Sequence, residues 1–535
     1  MPYITQFFHH FFARFWVLCC AILVLIPLSV IASSFGDFDA EIWQFLLEHE
    51  LALLIKNTAV LSALVAVGVL FLGSSSAWLT ATYQFPAQRF FFWAMMLPLA
   101  MPVYVLAFVQ LGVFEYSSWF NQLLMQYGFE AITEVKNVYV LAIAMSLTLY
   151  PYVYLLARNA FSGMGNRALE VGASLGLSPV QSFFKIALPS ARPWLAGGVI
   201  LALMEVLADF GAVSIFGYST FTTAIYDAWF GFFSIETAQQ LAVILISVVF
   251  VFIALEQISR GKQRFQSVGR TTHHQRKILT GWKKYFATTY CSLILLLAFI
   301  LPIIQLLAWA VRTWQATFNA DLLLQIWHSF FGSLIAAFLV ASIALFLALA
   351  KRSDHGRFTQ ILSRIAILGY TIPGAVLAVG VFVPVAWLDN FLIAQFNLER
   401  TAVFKGTLLV MLLAYVIRFL ALGHSSISAG LERISRSQIE AAKSLGQNDW
   451  QILWSVYLPL LKGSIGVAMI LVFVDVMKEM PMTLMTRPYD WDTLAVRIYN
   501  FTMESLYNKA AVPALIIVLV GLIPVVLFSK LDEKS

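Results

Sequence analysis

The stretch Glu170-Val-Gly-Ala-Ser-Leu-Gly176, followed by Ile186-Ala-Leu-Pro189, has a counterpart later in the chain. The second copy reads Glu440-Ala-Ala-Lys-Ser-Leu-Gly446 and then Val456-Tyr-Leu-Pro459, with the same spacing from glutamate to glycine to proline. The separation of Glu170 from Glu440, here called the repeat offset, is constant along both copies. A match at a fixed offset indicates an internal duplication. The chain is therefore predicted to consist of two tandem halves, each with one such loop.

The composition is typical of a membrane protein. Of the 535 residues, 60% are hydrophobic and 12% are charged, against about 25% charged residues in soluble domains. Continuous apolar runs of about 20 residues cross a bilayer as helices. We predict twelve spans: 11–33, 57–80, 90–112, 137–157, 195–216, 237–258, 286–311, 328–350, 365–388, 403–424, 463–484 and 511–529. The predicted fold class is an all-α membrane protein with about twelve transmembrane helices, arranged as two tandem six-helix domains in a parallel repeat.

The distribution of Lys and Arg predicts the orientation of the chain. With both termini in the cytoplasm, most of the 34 Lys and Arg residues fall on the cytoplasmic side, as the positive-inside rule requires. Residues 259–285 hold eight of them and no acid. We interpret this segment as a cytoplasmic linker facing anionic lipid, with no nucleic-acid partner. The predicted halves are then 1–258, with its loop near 159–193, and 286–535, with its loop near 430–462.

Each loop is predicted to form a helix, a glycine turn and a second helix. Gly176 and Gly446 stand where a left-handed C-terminal cap is needed. In the second copy, a capping box of Ser437 and Glu440 is expected to start the first helix. In the first copy, Asn166 is the expected cap and no box is present. A second helix is expected to start at Ser178-Pro179 and at Asn448-Asp449. We expect Pro189 and Pro459 to end these helices before the next span begins.

This pattern, with a Leu-Pro pair whose proline comes thirteen residues after the glycine, resembles the EAA loop of binding-protein-dependent ABC permeases. In that family the loop docks onto an ATPase subunit. The resemblance implies an ATPase-coupling role for Glu170, Gly172, Ala173, Gly176 and Pro189, and for Glu440, Ala441, Ala442, Gly446 and Pro459. It also implies two copies of a cytoplasmic ABC ATPase, a periplasmic substrate-binding protein, and a multi-pass location in the bacterial inner membrane.

The chain itself has no sequence signature of ATP hydrolysis. No Gly-x-x-x-x-Gly-Lys-Ser/Thr run, the phosphate-binding loop of many ATPases, occurs in it. We expect a transport subunit that is not an enzyme and binds no cofactor, while the partner ATPase uses ATP and Mg. No His, Cys and Asp cluster has the spacing of metal ligands, so no resident metal is expected.

Charged residues interrupt the span that follows each loop. They are Glu205 and Asp209 in the first half, and Asp475, Lys478 and Glu479 in the second. Each acidic pair has i, i+4 spacing, which predicts one helix face, and Lys478 is within reach of Asp475. Charges inside a span are costly and mark functional or buried positions. Two interpretations stay open: a translocation path or gate that attracts cations, and hydrogen bonds that lock the helix bundle.

The stretches 207–211, 219–226 and 475–481 resemble the ferric-iron branch of these permeases, which commonly fuses both halves into one chain. That resemblance implies a ferric-binding periplasmic partner. Thiamine and polyamine permeases share the architecture and remain alternatives for the substrate. A secondary transporter of the major-facilitator type is the alternative of a different class, since it also has two six-span halves. The paired loops argue against it.

Overall fold

The computed structural model describes residues 2–34, 40–260, 276–354, 356–397 and 402–532. Within these ranges the chain is almost entirely helical, as the uninterrupted apolar runs predict, because a helix satisfies its own backbone hydrogen bonds. Two strands of two residues each, β1 (Tyr83–Gln84) and β2 (Lys277–Ile278), pair in parallel.

The first half contains thirteen described helices, several of them short pieces of one longer path. They are α1 (Pro2–Ser33), α2 (Ala40–Phe45), α3 (Leu51–Thr82), α4 (Gln88–Ala94), α5 (Val103–Val113), α6 (Trp119–Gln126), α7 (Val138–Ser174), α8 (Pro179–Ser182), α9 (Leu188–Ser190), α10 (Arg192–Ala208), α11 (Gly211–Ile215), α12 (Phe221–Phe230) and α13 (Ile235–Arg260).

The second half repeats this order from α14 onwards. Its described helices are α14 (Trp282–Leu295), α15 (Leu301–Thr317), α16 (Ala320–Ser353), α17 (Arg357–Ala366), α18 (Gly374–Phe396), α19 (Leu408–Leu431), α20 (Arg436–Ser444), α21 (Asp449–Ile452), α22 (Leu458–Met477), α23 (Pro481–Thr486), α24 (Leu494–Met503) and α25 (Tyr507–Asp532).

Length and hydropathy confirm a multi-pass membrane fold. Ten described helical stretches are long and apolar enough to cross a bilayer, and two bent pairs raise the number to twelve if each pair is one span. One of these pairs replaces the predicted straight span 90–112: Gln88–Ala100 and Val103–Val113 meet at 87°. The bend falls at Met101 and Pro102, where proline lacks the N–H that would continue the helix.

The first compact unit comprises Met1–Asp39, Ile225–Val243 and Ala320–Arg497. In it, α1 packs on α16, α17 and α18. An ion pair joins Arg14 Nε to Asp354 Oδ2 at 2.6 Å, and Thr359 Oγ1 donates a further hydrogen bond to the same oxygen. The hydrogen bond from Arg14 lowers the pKa of Asp354 to about 2. The N-terminal helix is therefore fixed to helices that belong to the second half of the chain.

The second compact unit comprises Ala40–Ala224, Ile244–Asn319 and Ile498–Ser535. Its largest helix contact is α3 against α7, and α10 also packs on both. β2 belongs to the end of the predicted linker, and Arg276 beside it donates to Gln88 Oε1 at 3.1 Å. Most of the linker, residues 261–275, lies outside the described residues. The half boundaries at 258 and 285 stay a prediction from the repeat, whereas the compact units combine segments from both halves.

Candidate functional site

The first loop ends α7 with the predicted left-handed glycine. Gly176 has φ +70°, the N–H of Leu177 donates to the Gly172 carbonyl at 2.8 Å, and the N–H of Gly176 donates to Ala173 at 3.1 Å. This is the Schellman arrangement that satisfies the last carbonyls of a helix. The prediction of a glycine turn is confirmed. α7 runs unbroken through residue 166, so no helix begins there, and the side chain of Asn166 lies outside the described residues.

The second loop has the same turn, with Gly446 at φ +79° and the N–H of Gln447 donating to Ala442 at 3.2 Å. Its helix start differs from the prediction. Ser435, rather than Ser437, caps α20: the N–H of Gln438 donates to Ser435 Oγ, and the N–H of Ser435 donates to Gln438 Oε1 at 3.0 Å. The Ser437–Glu440 box is therefore wrong by two residues, because the helix already begins at Arg436.

The helices after both glycines start where the sequence predicts, and each start also has a capping box that was not predicted. Ser178 with Gln181 caps α8, and Asn448 with Gln451 caps α21. A π-helical turn then follows at the same repeat position in each half, Phe183–Ala187 and Leu453–Tyr457. The fold of the loop is thus repeated at the same offset as its sequence, including a feature that no sequence signal indicated.

The two prolines after these π turns have different outcomes. Pro189 lies in the short helix α9, which ends at Ser190, and the next segment turns by 74°. Pro459 does not end its helix, because Asp449–Met477 forms one continuous stretch. It lies in the first turn of α22, directly after the π turn. The missing N–H of each proline is accommodated in a first helical turn after a π turn, so the bend in the first half falls beyond Pro189, after Ser190.

The predicted coupling residues separate into outward-facing and inward-facing groups. Gly172 and Ala442 are buried. A Cβ on Gly172 would lie 1.9 Å from Ser182 Oγ and 2.7 Å from Ser182 Cβ, so α7 and α8 approach too closely for alanine. The exposed members are Glu170, Ala173, Gly176, Glu440, Ala441, Gly446 and Pro459, while Pro189 is half-buried. Large apolar side chains also stand exposed on the loops: Val171, Leu175, Val180, Phe184, Leu445, Trp450 and Trp454.

The charged spans are broken before their second acid, which corrects the prediction of one helix face. α10 ends at Ala208, directly before Asp209, and α22 ends at Met477, directly before Lys478. Asp209 Oδ1 accepts from the N–H groups of Ala212 (2.9 Å) and Val213 (3.2 Å). Carboxylates at helix N-termini satisfy free N–H groups and oppose the helix dipole. Asp209 therefore helps to start α11.

The second half repeats this arrangement with a glutamate. Glu479 Oε1 accepts from the N–H of Met482 at 3.0 Å, in the first turn of α23. Met482 and Ala212 are related by the repeat offset. Glu479 is buried, whereas Asp209 is half-buried. In both halves the second acid thus supports the restart of a short helix.

The remaining charges lie before the breaks or directly at them. Tyr152 donates its hydroxyl to Glu205 Oε1 at 3.4 Å. Lys478 Nζ pairs with Asp475 Oδ1 at 2.7 Å, with 32% and 22% of the two side chains exposed, so the predicted contact of Lys478 with Asp475 is confirmed. Glu205 is likewise half-buried. These three side chains are therefore partly exposed.

One charged residue of this region was missed from the sequence. Arg418 lies deep inside the predicted span 403–424, and a cation at that depth should have marked it. Its Nη1 donates to the Ile372 carbonyl at 3.2 Å. A Cβ on Gly374 would lie 2.7 Å from Glu479 Oε1 and 2.9 Å from Arg418 Nη1. Both side chains therefore converge on the start of α18. Among the described residues, no three His, Cys, Asp or Glu side chains are placed to hold a metal ion.

Comparison with known proteins shows what this architecture is. The family model described as "Binding-protein-dependent transport system inner membrane component" matches the chain twice, at residues 70–259 and 341–534. The chain belongs to this family. The second match confirms the tandem repeat and excludes the major-facilitator alternative. The chain is therefore the multi-pass inner-membrane permease component of an importer whose system includes a binding protein.

Several curated relatives resemble the whole permease or one half of it. The Fe(3+)-transport system permease protein FbpB 2 of Haemophilus influenzae is 28% identical over 97% of this chain and 99% of its own length. A putative ferric transport system permease, FbpB 1 of the same species, is 23% identical over 86% of this chain and 76% of its own. The sulfate permease CysT of Salmonella typhimurium matches 37% of this chain and 70% of its own length at 26% identity.

Proposed function

We propose that the chain is the fused permease subunit of an ATP-driven importer of ferric iron. The observation that carries this proposal is the full-length similarity to a ferric-iron permease, which spans both halves, the linker and both loops. The sulfate permease matches little more than a third of the chain. The acidic residues near the helix breaks suit a cationic cargo, which passes as substrate.

The two loops support coupling to two copies of a cytoplasmic ABC ATPase, one for each loop. Both present an exposed glutamate, small residues and exposed apolar side chains at repeated positions. Exposed aromatic side chains such as Trp450 and Trp454 are typical anchors of protein interfaces. Each permease half would then receive the motion of one ATPase subunit, which binds ATP and Mg, while this chain binds neither. The basic linker and the two ends of the chain would lie on the same cytoplasmic side.

A periplasmic ferric-binding protein would deliver the iron to the other side. Glu205, Asp475 and Lys478, being half-exposed, are proposed to border the route of the ion. Asp209 and Glu479 hold the short helices that follow and contribute negative charge to the same regions. A cation that contacts several partly exposed carboxylates binds weakly enough to be released again, and transport requires this release.

Uptake of radioactive iron tests the cargo. The test strain lacks the chromosomal genes for this chain, for the ATPase and for the binding protein. It should take up ferric iron only when all three proteins are supplied together. Thiamine and spermidine uptake serve as controls and should not change. Uptake of thiamine or spermidine in place of iron would contradict the proposal for the cargo, while leaving the permease assignment intact.

Coupling is tested separately by co-purification of the ATPase. Trp450→Ala with Trp454→Ala should reduce the recovered ATPase several-fold, because two exposed aromatic anchors are removed. Phe338→Ala is a matched control, since Phe338 is an exposed aromatic residue on α16, away from either loop. Equal recovery of the ATPase with both variants would contradict the assignment of the loop.

A further inference from the structure

A basic cavity lies beside the start of the second loop. Its volume is about 580 Å³, and it is bounded by the end of α16, by α17, and by the chain between α19 and α20. Four of its lining residues are basic and one is acidic. They are Lys351, Arg352, Arg364, Arg436 and Glu432.

Arg352 has a defined role in the fold. Arg352 donates from Nη1 to the Leu431 carbonyl and from Nη2 to the Ile434 carbonyl, the latter at 2.6 Å. It closes the end of α19 and leaves the cavity wall positive. Lys351, Arg364 and Arg436 are exposed. A concentration of positive charge around an open cavity is a binding environment for a phosphate group.

The position of the cavity points to a lipid as the source of the phosphate. Lys351 and Arg352 lie in the last turn of a candidate span, where a headgroup would be found. α17, which supplies Arg364, also exposes Phe358 (53%) and Ile361 (58%) on a short amphipathic helix. Exposed apolar side chains beside basic ones are typical of a helix that lies in the membrane interface. A free phosphate would make no use of them.

The same place in the repeat is basic in the first half. A cavity of about 610 Å³ there is lined by Arg89, Arg276, Gln88 and Ser162, among others. Ser162 and Glu432 are related by the repeat offset, as are Ala81 and Lys351. Different residues supply the charge in the two halves, and in the first half the linker itself contributes Arg276. Both halves thus have a basic cavity at this position although different residues line it, which argues against a chance cluster of surface charges.

We propose that the second-half cavity binds the headgroup of an anionic phospholipid, with Lys351, Arg364 and Arg436 around the phosphate and the acyl chains along Phe358 and Ile361. Ser435, which caps α20, lines the same cavity. The bound lipid would therefore touch the helix that begins the second loop. The proposal concerns the membrane environment and is independent of the cargo.

The test measures the lipids that the purified full-length chain retains. After incubation with equal amounts of dioleoyl phosphatidylglycerol and dioleoyl phosphatidylethanolamine in mild detergent, native mass spectrometry counts each species on the chain. The wild type should prefer phosphatidylglycerol. The triple variant Lys351→Gln, Arg364→Gln, Arg436→Gln should lose that preference by at least about tenfold, since each basic residue near a headgroup adds to the attraction. Phosphatidylethanolamine should not change.

A matched control removes three exposed basic residues outside the cavity: Arg357→Gln, Arg433→Gln and Lys462→Gln. It should keep the wild-type preference, and both triple variants should elute as single species on size exclusion. Equal loss in the control, or no loss in the cavity variant, would overturn the proposal. Displacement of phosphatidylglycerol by millimolar inorganic phosphate would identify a free-phosphate site instead. Displacement by the bound ATPase would assign the cavity to that subunit.

Discussion

Asp209 and Glu479, which occupy equivalent positions of the repeat, each accept a hydrogen bond from the second residue of the short helix that follows them. The two acids therefore combine a structural task with a charge. Substitution by the matching amide separates these tasks, because an amide oxygen still accepts the backbone hydrogen bond while the negative charge is removed.

Asp209→Ala should lower the free energy of unfolding by about 1 kcal/mol, the usual cost of losing a helix cap. Asp209→Asn should keep most of that stability, yet lower the rate of iron uptake as far as the alanine variant does. Thermal unfolding in detergent and transport in proteoliposomes measure the two effects. An asparagine variant that transports like wild type would show that the charge is not used.

Gly172→Ala should destabilise the first loop, because the new Cβ would lie 1.9 Å from Ser182 Oγ. Overpacking of this kind costs about 1–3 kcal/mol. Adding Ser182→Gly removes the obstructing side chain and should restore part of the stability and of ATPase co-purification. The equivalent position in the second loop is already Ala442, so Ala442→Gly should cost only the helix penalty of glycine, about 0.5–1 kcal/mol. Failure of the second substitution to rescue would contradict the close approach of α7 and α8.

The effect of substituting Gly176 and Gly446 should depend on the backbone conformation that the new residue tolerates, not on its volume. Open space surrounds the Cβ position of each, but φ is +70° and +79°. Valine at both positions should reduce ATPase co-purification strongly, since β-branched residues avoid left-handed backbone, whereas asparagine tolerates it and should be close to wild type. Equal recovery with valine and asparagine would exclude the turn as the requirement.

Asp354 gives a pH dependence with a defined sign. Its pKa is about 2, below the ordinary value of 3.8, because of the hydrogen bond from Arg14. Its contribution to stability is therefore complete above pH 3.8 and is lost as the pH falls through about 2.

Asp354→Asn should lower stability at pH 7 by about 1–2 kcal/mol, allowing for the partial exposure of Arg14. The variant should also lose less stability than the wild type between pH 4 and pH 2, because the contribution of Asp354 is already absent. Unfolding midpoints of both proteins across that range measure the difference. Parallel curves would show that the Arg14–Asp354 pair does not stabilise the attachment of α1.

The membrane class, the repeat and the glycine turns could be predicted because each depends on local sequence. The break after Ala208 could not, since hydropathy does not report where a backbone stops being helical. The break after Met477 does have a sequence signal, because Pro481 follows four residues later and disfavours a continuing helix. The start of α20 was ambiguous for another reason. Ser435 with Gln438 and Ser437 with Glu440 both have the spacing of a capping box, and only the path of the chain selects the first.

The burial of individual loop residues could not be predicted from the sequence either. The pattern of the loop placed Gly172 and Ala442 with the exposed glutamates, although their side-chain positions are buried. Whether a small residue faces a partner or a neighbouring helix depends on which helix packs on it. For Gly172 that neighbour is Ser182, which lies across the glycine turn.

The attachment of α1 sets an order of events during synthesis. Arg14 is made 340 residues before Asp354, and the helices α16 to α18 that cover α1 come equally late. At about 5–20 residues per second, α1 waits roughly 17–70 s in the membrane before these helices exist. The N-terminal helix must therefore be held by lipid or by the insertion machinery during that time. A ribosome that stops before residue 320 would leave a first half whose earliest helix lacks its main packing surface.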